Sequence, residues 1–375
     1  MSTQSHDYKH LDAARGFAAF VVLLAHMVQI FWLRIFGLES NLYQVSTIAS
    51  HYAVVIFFLL SGFLITHSIE TNIARNTNFQ VLDYLCARFA RIYPPFLFAV
   101  IVTGIVFLLI GFFNLPGRDS PLSFPGDVYS ARGILQLHFK ENVSAFMMMG
   151  GLLDVNGPLW SLYIEVKLYI LLACAYCLKG PVRFVLSTII GVTVLVAGLR
   201  YNAEFGKYAS FWIIGCLVFY LANEKIERRR LKIALAILCL FLAVIEGYLR
   251  LKNNQIVPKT LGQGIAVELL VAMVLAYLLL YLRMNLFVGS RMAGYSYTLY
   301  VTHFPILLFF QSLFVNNADP GIWPTMVFSI AACIVALTLA RWAAVLESRK
   351  AVIQHFCISN LRLLMEKLLH AKRAA

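Results

Sequence analysis

Three sets of ionisable side chains sit in or beside long apolar runs, where ionisable groups are costly and usually functional. Arg15 and His26 lie eleven residues apart in the first run. On a helix that spacing returns to within ~20° of one face and separates them by ~16 Å along the axis. A histidine at that depth suits proton transfer, because its unperturbed pKa lies near neutrality. The same residues also fit a snorkelling anchor and a packing histidine. Arg88 and Arg91 are spaced i,i+3 in Cys-Ala-Arg-Phe-Ala-Arg-Ile-Tyr-Pro-Pro. They share a helix face, and paired guanidinium groups ligate phosphate well. Two arginines ahead of a membrane span are equally ordinary as topology signals. Glu165 stands about seven residues into the run that follows Gly157-Pro158-Leu159-Trp160-Ser161. A carboxylate there needs a partner or a proton. Lys167 lies ~200° around the helix from it and needs a partner of its own. A salt bridge between helices is the plainer reading of Glu165.

The elements that must position these groups are membrane helices. Of 375 residues, 61% are hydrophobic and 13% charged, and the mean hydropathy is +0.77. A soluble domain carries about twice that share of charge. Apolar runs predict an all-α bundle of about ten transmembrane helices, at roughly 13–33, 46–67, 92–113, 158–178, 183–199, 208–223, 232–249, 262–282, 296–315 and 321–345. The net charge of +13 sits mostly in alternate connections, which predicts both termini in the cytoplasm. That placement excludes a nucleic-acid-binding surface and leaves the lipid bilayer as the partner. Seven cysteines (Cys86, Cys174, Cys177, Cys216, Cys239, Cys333 and Cys357) lie in or beside apolar runs. They make no disulfide framework, and no metal site or cleavable signal is expected. Residues 114–157 form a long outer connection with an amphipathic piece near 130–150. Residues 346–375 form a basic amphipathic tail on the inner leaflet, with Leu361, Leu364, Met365 and Leu368 on one face. The domain division is thus 1–345 and 346–375.

Taken together, these segments resemble the acyltransferase-3 family of integral membrane acyltransferases. The Arg-x10-His element is Arg15 to His26, and Val55 to Ile65 resembles the second-helix signature. Arg88 to Pro95 matches Arg-x-x-Arg followed by Tyr-Pro-Pro, and Trp160, Ser161, Leu162 and Glu165 match the Trp-Ser-Leu…Glu element. Tyr295 to His303 looks like the family's late helix. The resemblance spans residues 8–345. It departs where members follow the glutamate with a second acid and a glutamine, since Val166 and Lys167 stand here. A second expected departure is the lack of the periplasmic esterase-like domain that some members append.

The resemblance implies transfer of an acyl group, usually acetyl, from cytoplasmic acyl-CoA to a hydroxyl of a cell-surface or lipid-linked carbohydrate in the inner membrane. Acyl-CoA is then a co-substrate, with no bound cofactor. Arg15, Arg88 and Arg91 would take the CoA phosphates, and His26 would be the general base, with Glu165 stabilising its imidazolium. Trp160, Ser161 and His303 are the acceptor-site candidates. A proton-coupled transporter or flippase could use the same buried charges, though no internal repeat is present. A signalling or scaffolding membrane protein would leave those charges without a use. The acceptor sugar, the acyl chain and the oligomeric state are not encoded in any recognisable motif.

Overall fold

The computed structural model describes residues 9–124, 133–178, 180–202, 204–223, 265–281, 287–317 and 321–374. Among them, eight helical segments are long and apolar enough to cross a membrane. The first runs Lys9–Phe36, as α1 (Lys9–Met27), a π-helical turn (Val28–Trp32) and α2 (Leu33–Phe36). Then follow α3 (Asn41–Asn76), α4 (Val81–Phe112), the short α5 (Phe139–Phe146), α6 (Leu159–Tyr176), α7 (Pro181–Tyr201) and α8 (Phe205–Ala222). After these come α9 (Ile265–Tyr281), α10 (Phe287–Met292), a 3-10 turn (Ala293–Tyr295) and α11 (Ser296–Asn317). The chain closes with α12 (Ile322–Trp342), α13 (Ala344–Ser348) and α14 (Lys350–Ala374). The result is an all-α polytopic bundle. The span expected at 232–249 lies outside the described residues. That expected at 262–282 is the shorter α9, whose apolar part is Val267–Leu279.

Several helices run past the apolar limits read from the sequence, because polar turns continue them at both ends. Helix α3 starts early since the Ser40 side chain caps it, accepting from the Tyr43 amide. It ends at Thr77, whose φ of 62° stops the helix. Helix α4 passes straight through Pro94 and Pro95, so Arg88 and Arg91 belong to the spanning helix itself. Neighbouring helices in a membrane bundle can satisfy the backbone groups that proline frees.

Helix α1 is central, packed against α3, α10 and α11. Close backbone contact at glycines sets two of the crossings, as small residues commonly do in membranes. A Cβ on Gly16 would lie 2.1 Å from the Gly289 carbonyl oxygen, and one on Gly289 would lie 2.0 Å from that of Ala13. Gly62 and Gly215 make the same reciprocal contact between α3 and α8. Helix α7, with only 11% of its apolar window buried, faces outward.

The connection between α4 and α6 dips back into the bundle. The Tyr93 hydroxyl donates to the Phe146 carbonyl at 2.6 Å. Tyr93 lies nineteen residues before the end of α4, which places Phe146 roughly 20 Å inside that end. Non-helical backbone survives at such depth only when protein groups satisfy it. Lys167 does this, donating to the carbonyls of Met148 and Met149 at 3.0 and 3.4 Å and to Tyr163 at 3.1 Å. The Tyr163 hydroxyl donates to Gly151. The partner that Lys167 requires is therefore this re-entrant backbone.

Candidate active site

At the end of the bundle where α1, α4 and α11 begin, the structure gathers four cations. Arg15 donates from Nε to Ser296 Oγ at 3.0 Å and from Nη2 to the Ala293 carbonyl at 3.2 Å. It also pairs with Asp12 at 3.1 Å. Arg88 reaches Ser68 Oγ at 3.3 Å, while its Nε is buried without a hydrogen-bond partner among the described residues. Arg91 has no hydrogen bond or ion pair among the described residues, yet lies within electrostatic range of Arg15, Arg88 and Lys350 and also of Glu165, Glu347 and Asp12. Burial, then the charges of Arg91 and Arg15, push the Lys350 ammonium below its ordinary range. Glu347 is occupied by the Thr298 amide and hydroxyl, at 2.8 and 2.7 Å. Crowded cations with unfilled donors make a chamber for an anion. Glu347 carried no signal in the sequence, and Lys350 read only as one charge of the basic tail.

Farther along α1 and α11, the His26 Nδ1 lies 2.8 Å from the His303 Nε2, with the rings stacked at 5.1 Å. The tautomers follow from the next contact. His303 Nδ1 faces the Leu299 carbonyl at 3.0 Å, and a carbonyl only accepts. His303 Nδ1 therefore carries a proton, its Nε2 a lone pair, and His26 Nδ1 donates to it. A neutral His26 then keeps its lone pair on Nε2. The π turn begins two residues after His26, and such turns often occur at functional sites.

Glu165 is held differently from the sequence expectation. Its Oε1 accepts from Ser61 Oγ at 2.6 Å and from the Tyr169 hydroxyl. Trp212 Nε1 donates to the same Ser61 at 3.2 Å. The group on His26 Nδ1 is thus the imidazole of His303, and the Glu165 oxygen goes to Ser61 and Tyr169. His303, expected among the acceptor-site residues, is the hydrogen-bond partner of His26. The two other acceptor candidates separate. Ser161 donates to the Pro158 carbonyl and receives the Tyr300 hydroxyl at 2.7 Å. Trp160 instead packs on Tyr208, at 4.7 Å between ring centroids. There Tyr208 meets His51, and Glu268 lies 3.6 Å from His51 and 3.9 Å from Lys207.

A small cavity opens beside Glu165, lined also by Phe57, Phe58, Ser161, Leu162, Tyr297 and Tyr300. Among the described residues, no group of His, Cys, Asp and Glu is arranged to hold a metal ion.

The chain is thus a multi-pass helical bundle with an imidazole pair farther along α1 from a cluster of cations, and comparison with known proteins gives its family. Residues 8–345 match the acyltransferase-3 family, described as an acyltransferase domain, and the chain belongs to that family. It is 24% identical over 354 residues to an O-acetyl transferase of Shigella phage Sf6, covering 90% of this chain and 94% of that one. Over 175 residues it is 30% identical to the acyltransferase MdmB of Streptomyces mycarofaciens, covering 46% and 41% of the two chains. Nodulation protein 10 of Rhizobium leguminosarum bv. viciae is 28% identical over 165 residues, 44% and 42% of the chains. No solved structure matches. The protein is a multi-pass membrane acyltransferase.

Proposed function

We propose that the protein transfers an acyl group, acetyl in the first instance, from cytoplasmic acyl-CoA to a hydroxyl of a cell-surface or lipid-linked carbohydrate. The observation that carries this reading is the His26–His303 pair, eleven residues along α1 from an arginine chamber with unfilled donors. Arg15, Arg88 and Arg91, joined by Lys350, hold the phosphates, and the thioester reaches toward His26. The acceptor enters from the opposite face.

In the reaction the acceptor hydroxyl gives its proton to His26 Nε2 as its oxygen bonds to the thioester carbonyl carbon. His303 Nε2 holds the other side of the resulting imidazolium through the Nδ1–H bond, much as the carboxylate does in hydrolase triads. The C–S bond then breaks, the electrons leave on sulfur, and His26 returns its proton to give free CoA. Transfer is direct, since the reading needs no nucleophile besides the acceptor. Glu165 supports the site without touching the base.

The test compares membranes with and without the protein, incubated with [14C]acetyl-CoA. Label in the polysaccharide or glycolipid fraction, matched by released CoA thiol, is the expected result. Equal thiol release and no protein-dependent label would overturn it.

A further inference from the structure

We infer that Asn156 is a positioning residue for the histidine pair: its side chain replaces the helical hydrogen bond that Pro305 removes from α11, and so fixes the turn that carries His303. This rests on His303 supporting His26 in the proposed reaction. The sequence of α11 creates the need. Pro305 lies inside the helix and has no N–H, so the carbonyl of Val301, four residues earlier, loses its helical donor. Val301 is fully buried, and a buried carbonyl without a donor is costly. His303 stands in the middle of that weakened turn, two residues after Val301 and two before Pro305. Prolines are where helices bend, and a bend here moves the ring that meets His26 at 2.8 Å.

Asn156 supplies the missing donor. It is fully buried, in the connection between α5 and α6. Its Nδ2 donates to the Val301 carbonyl at 2.8 Å and to Thr103 Oγ1 at 3.4 Å. Thr103 spends its own proton on the Ala99 carbonyl at 2.7 Å, so toward Asn156 its oxygen accepts. Both amide protons therefore have an acceptor, and the reverse orientation would set Oδ1 against a carbonyl. The residue is itself held in place. Its backbone N–H donates to the Leu152 carbonyl at 2.7 Å, and its carbonyl accepts from Leu159, the first residue of α6, at 3.3 Å. One side chain thus joins α4, the start of α6 and the proline turn of α11. The following residue abuts the other side of the pair. A Cβ on Gly157 would lie 3.6 Å from the Phe304 ring, and Phe304 stands edge-on to His26 at 5.2 Å between centroids.

Double-mutant cycles on detergent-purified protein test this in two ways. Turnover is read first. Asn156→Leu removes the donor at similar volume and should lower kcat about tenfold, with the donor KM within about twofold of the parent. In a His303→Ala background the same change should cost no more than about twofold, because the residue it positions is gone. A residue that only holds the fold would lower kcat by the same factor in both backgrounds, and that result would overturn the inference. Melting temperature is read second and needs no substrate. Pro305→Ala returns an N–H to position 305. Asn156→Leu should lower the melting temperature by several degrees in the parent, and by less than about half as much beside Pro305→Ala. Equal losses in the two backgrounds would show that Asn156 does not stand in for the missing bond. Asn156→Ala, which leaves room for a water on the Val301 carbonyl, is carried through both cycles and should follow the same pattern even where the leucine variant does not fold. If His303→Ala alone keeps the parental kcat, the reading of the histidine pair fails, and this inference fails with it whatever the melting temperatures show.

Discussion

His26 Nδ1 and His303 Nε2 meet at 2.8 Å, across 277 residues of chain. The Leu299 carbonyl on the far side fixes the direction of this hydrogen bond. That proton order puts the His26 lone pair on Nε2, the atom that takes the acceptor proton in the proposed reaction. In the proposed reaction a neutral imidazole takes the place that a carboxylate fills in hydrolase triads.

Removing that partner should slow the chemical step and spare donor binding. His303→Ala leaves His26 Nδ1–H without an acceptor and no longer selects a tautomer. Turnover is expected to fall by about 10- to 100-fold, less than for loss of the base. His303→Gln offers an amide oxygen to the same N–H and should recover part of it. Steady-state kcat against donor KM checks this. A rise in KM with kcat intact would place His303 in binding.

The arginines should divide by their present partners. Arg15 is tied to Ser296, Ala293 and Asp12, whereas Arg91 has no such bonds. Arg91→Ala should therefore raise the donor KM without loss of folded protein, by tenfold or more for a lost charge-assisted phosphate contact. Arg15→Ala should also lower the yield of folded protein. Donor titrations of detergent-purified variants, with size-exclusion profiles alongside, separate the two effects.

Much of this site was legible in the sequence because it obeys helical periodicity. Arg15 and His26 share a stripe, Arg88 and Arg91 share a face, and Glu165 stands out in an apolar run. What escaped are relations between helices far apart in the chain. Nothing local indicates that His303 faces His26, or that Ser61 and Tyr169 occupy Glu165. Trp160 and Ser161 are adjacent, yet their side chains serve different places, since neighbours on a helix diverge by ~100°. Lys167 looked like a stray charge because its partners are backbone carbonyls, which no side-chain pattern encodes.

Lys167 gives a stability prediction. Lys167→Met keeps the length of the side chain but removes the donor from the Met148 and Met149 carbonyls of the re-entrant segment. Each unsatisfied group costs about 1–3 kcal/mol. A lower melting temperature and faster proteolysis within 139–155 are expected. A variant as stable as the parent would show that the re-entrant segment holds by other means.

Gly62→Leu should force α3 from α8. Even a Cβ would lie 2.0 Å from the Trp212 carbonyl oxygen, and Trp212 holds Ser61. The expected result is little folded protein, read by fluorescence-detected size exclusion. Gly104→Leu, where a Cβ meets nothing within 4 Å, is the control and should behave as the parent.

The most direct measurement is the rate at which purified His26→Gln protein consumes acetyl-CoA in the presence of membrane glycans, set beside its affinity for CoA. Glutamine keeps a polar side chain of similar reach and removes the basic nitrogen. The account predicts a loss of about 10²–10⁴-fold in turnover, with CoA binding close to that of the parent. Turnover within a few-fold of the parent, at equal CoA affinity, would contradict it and remove His26 from the chemistry.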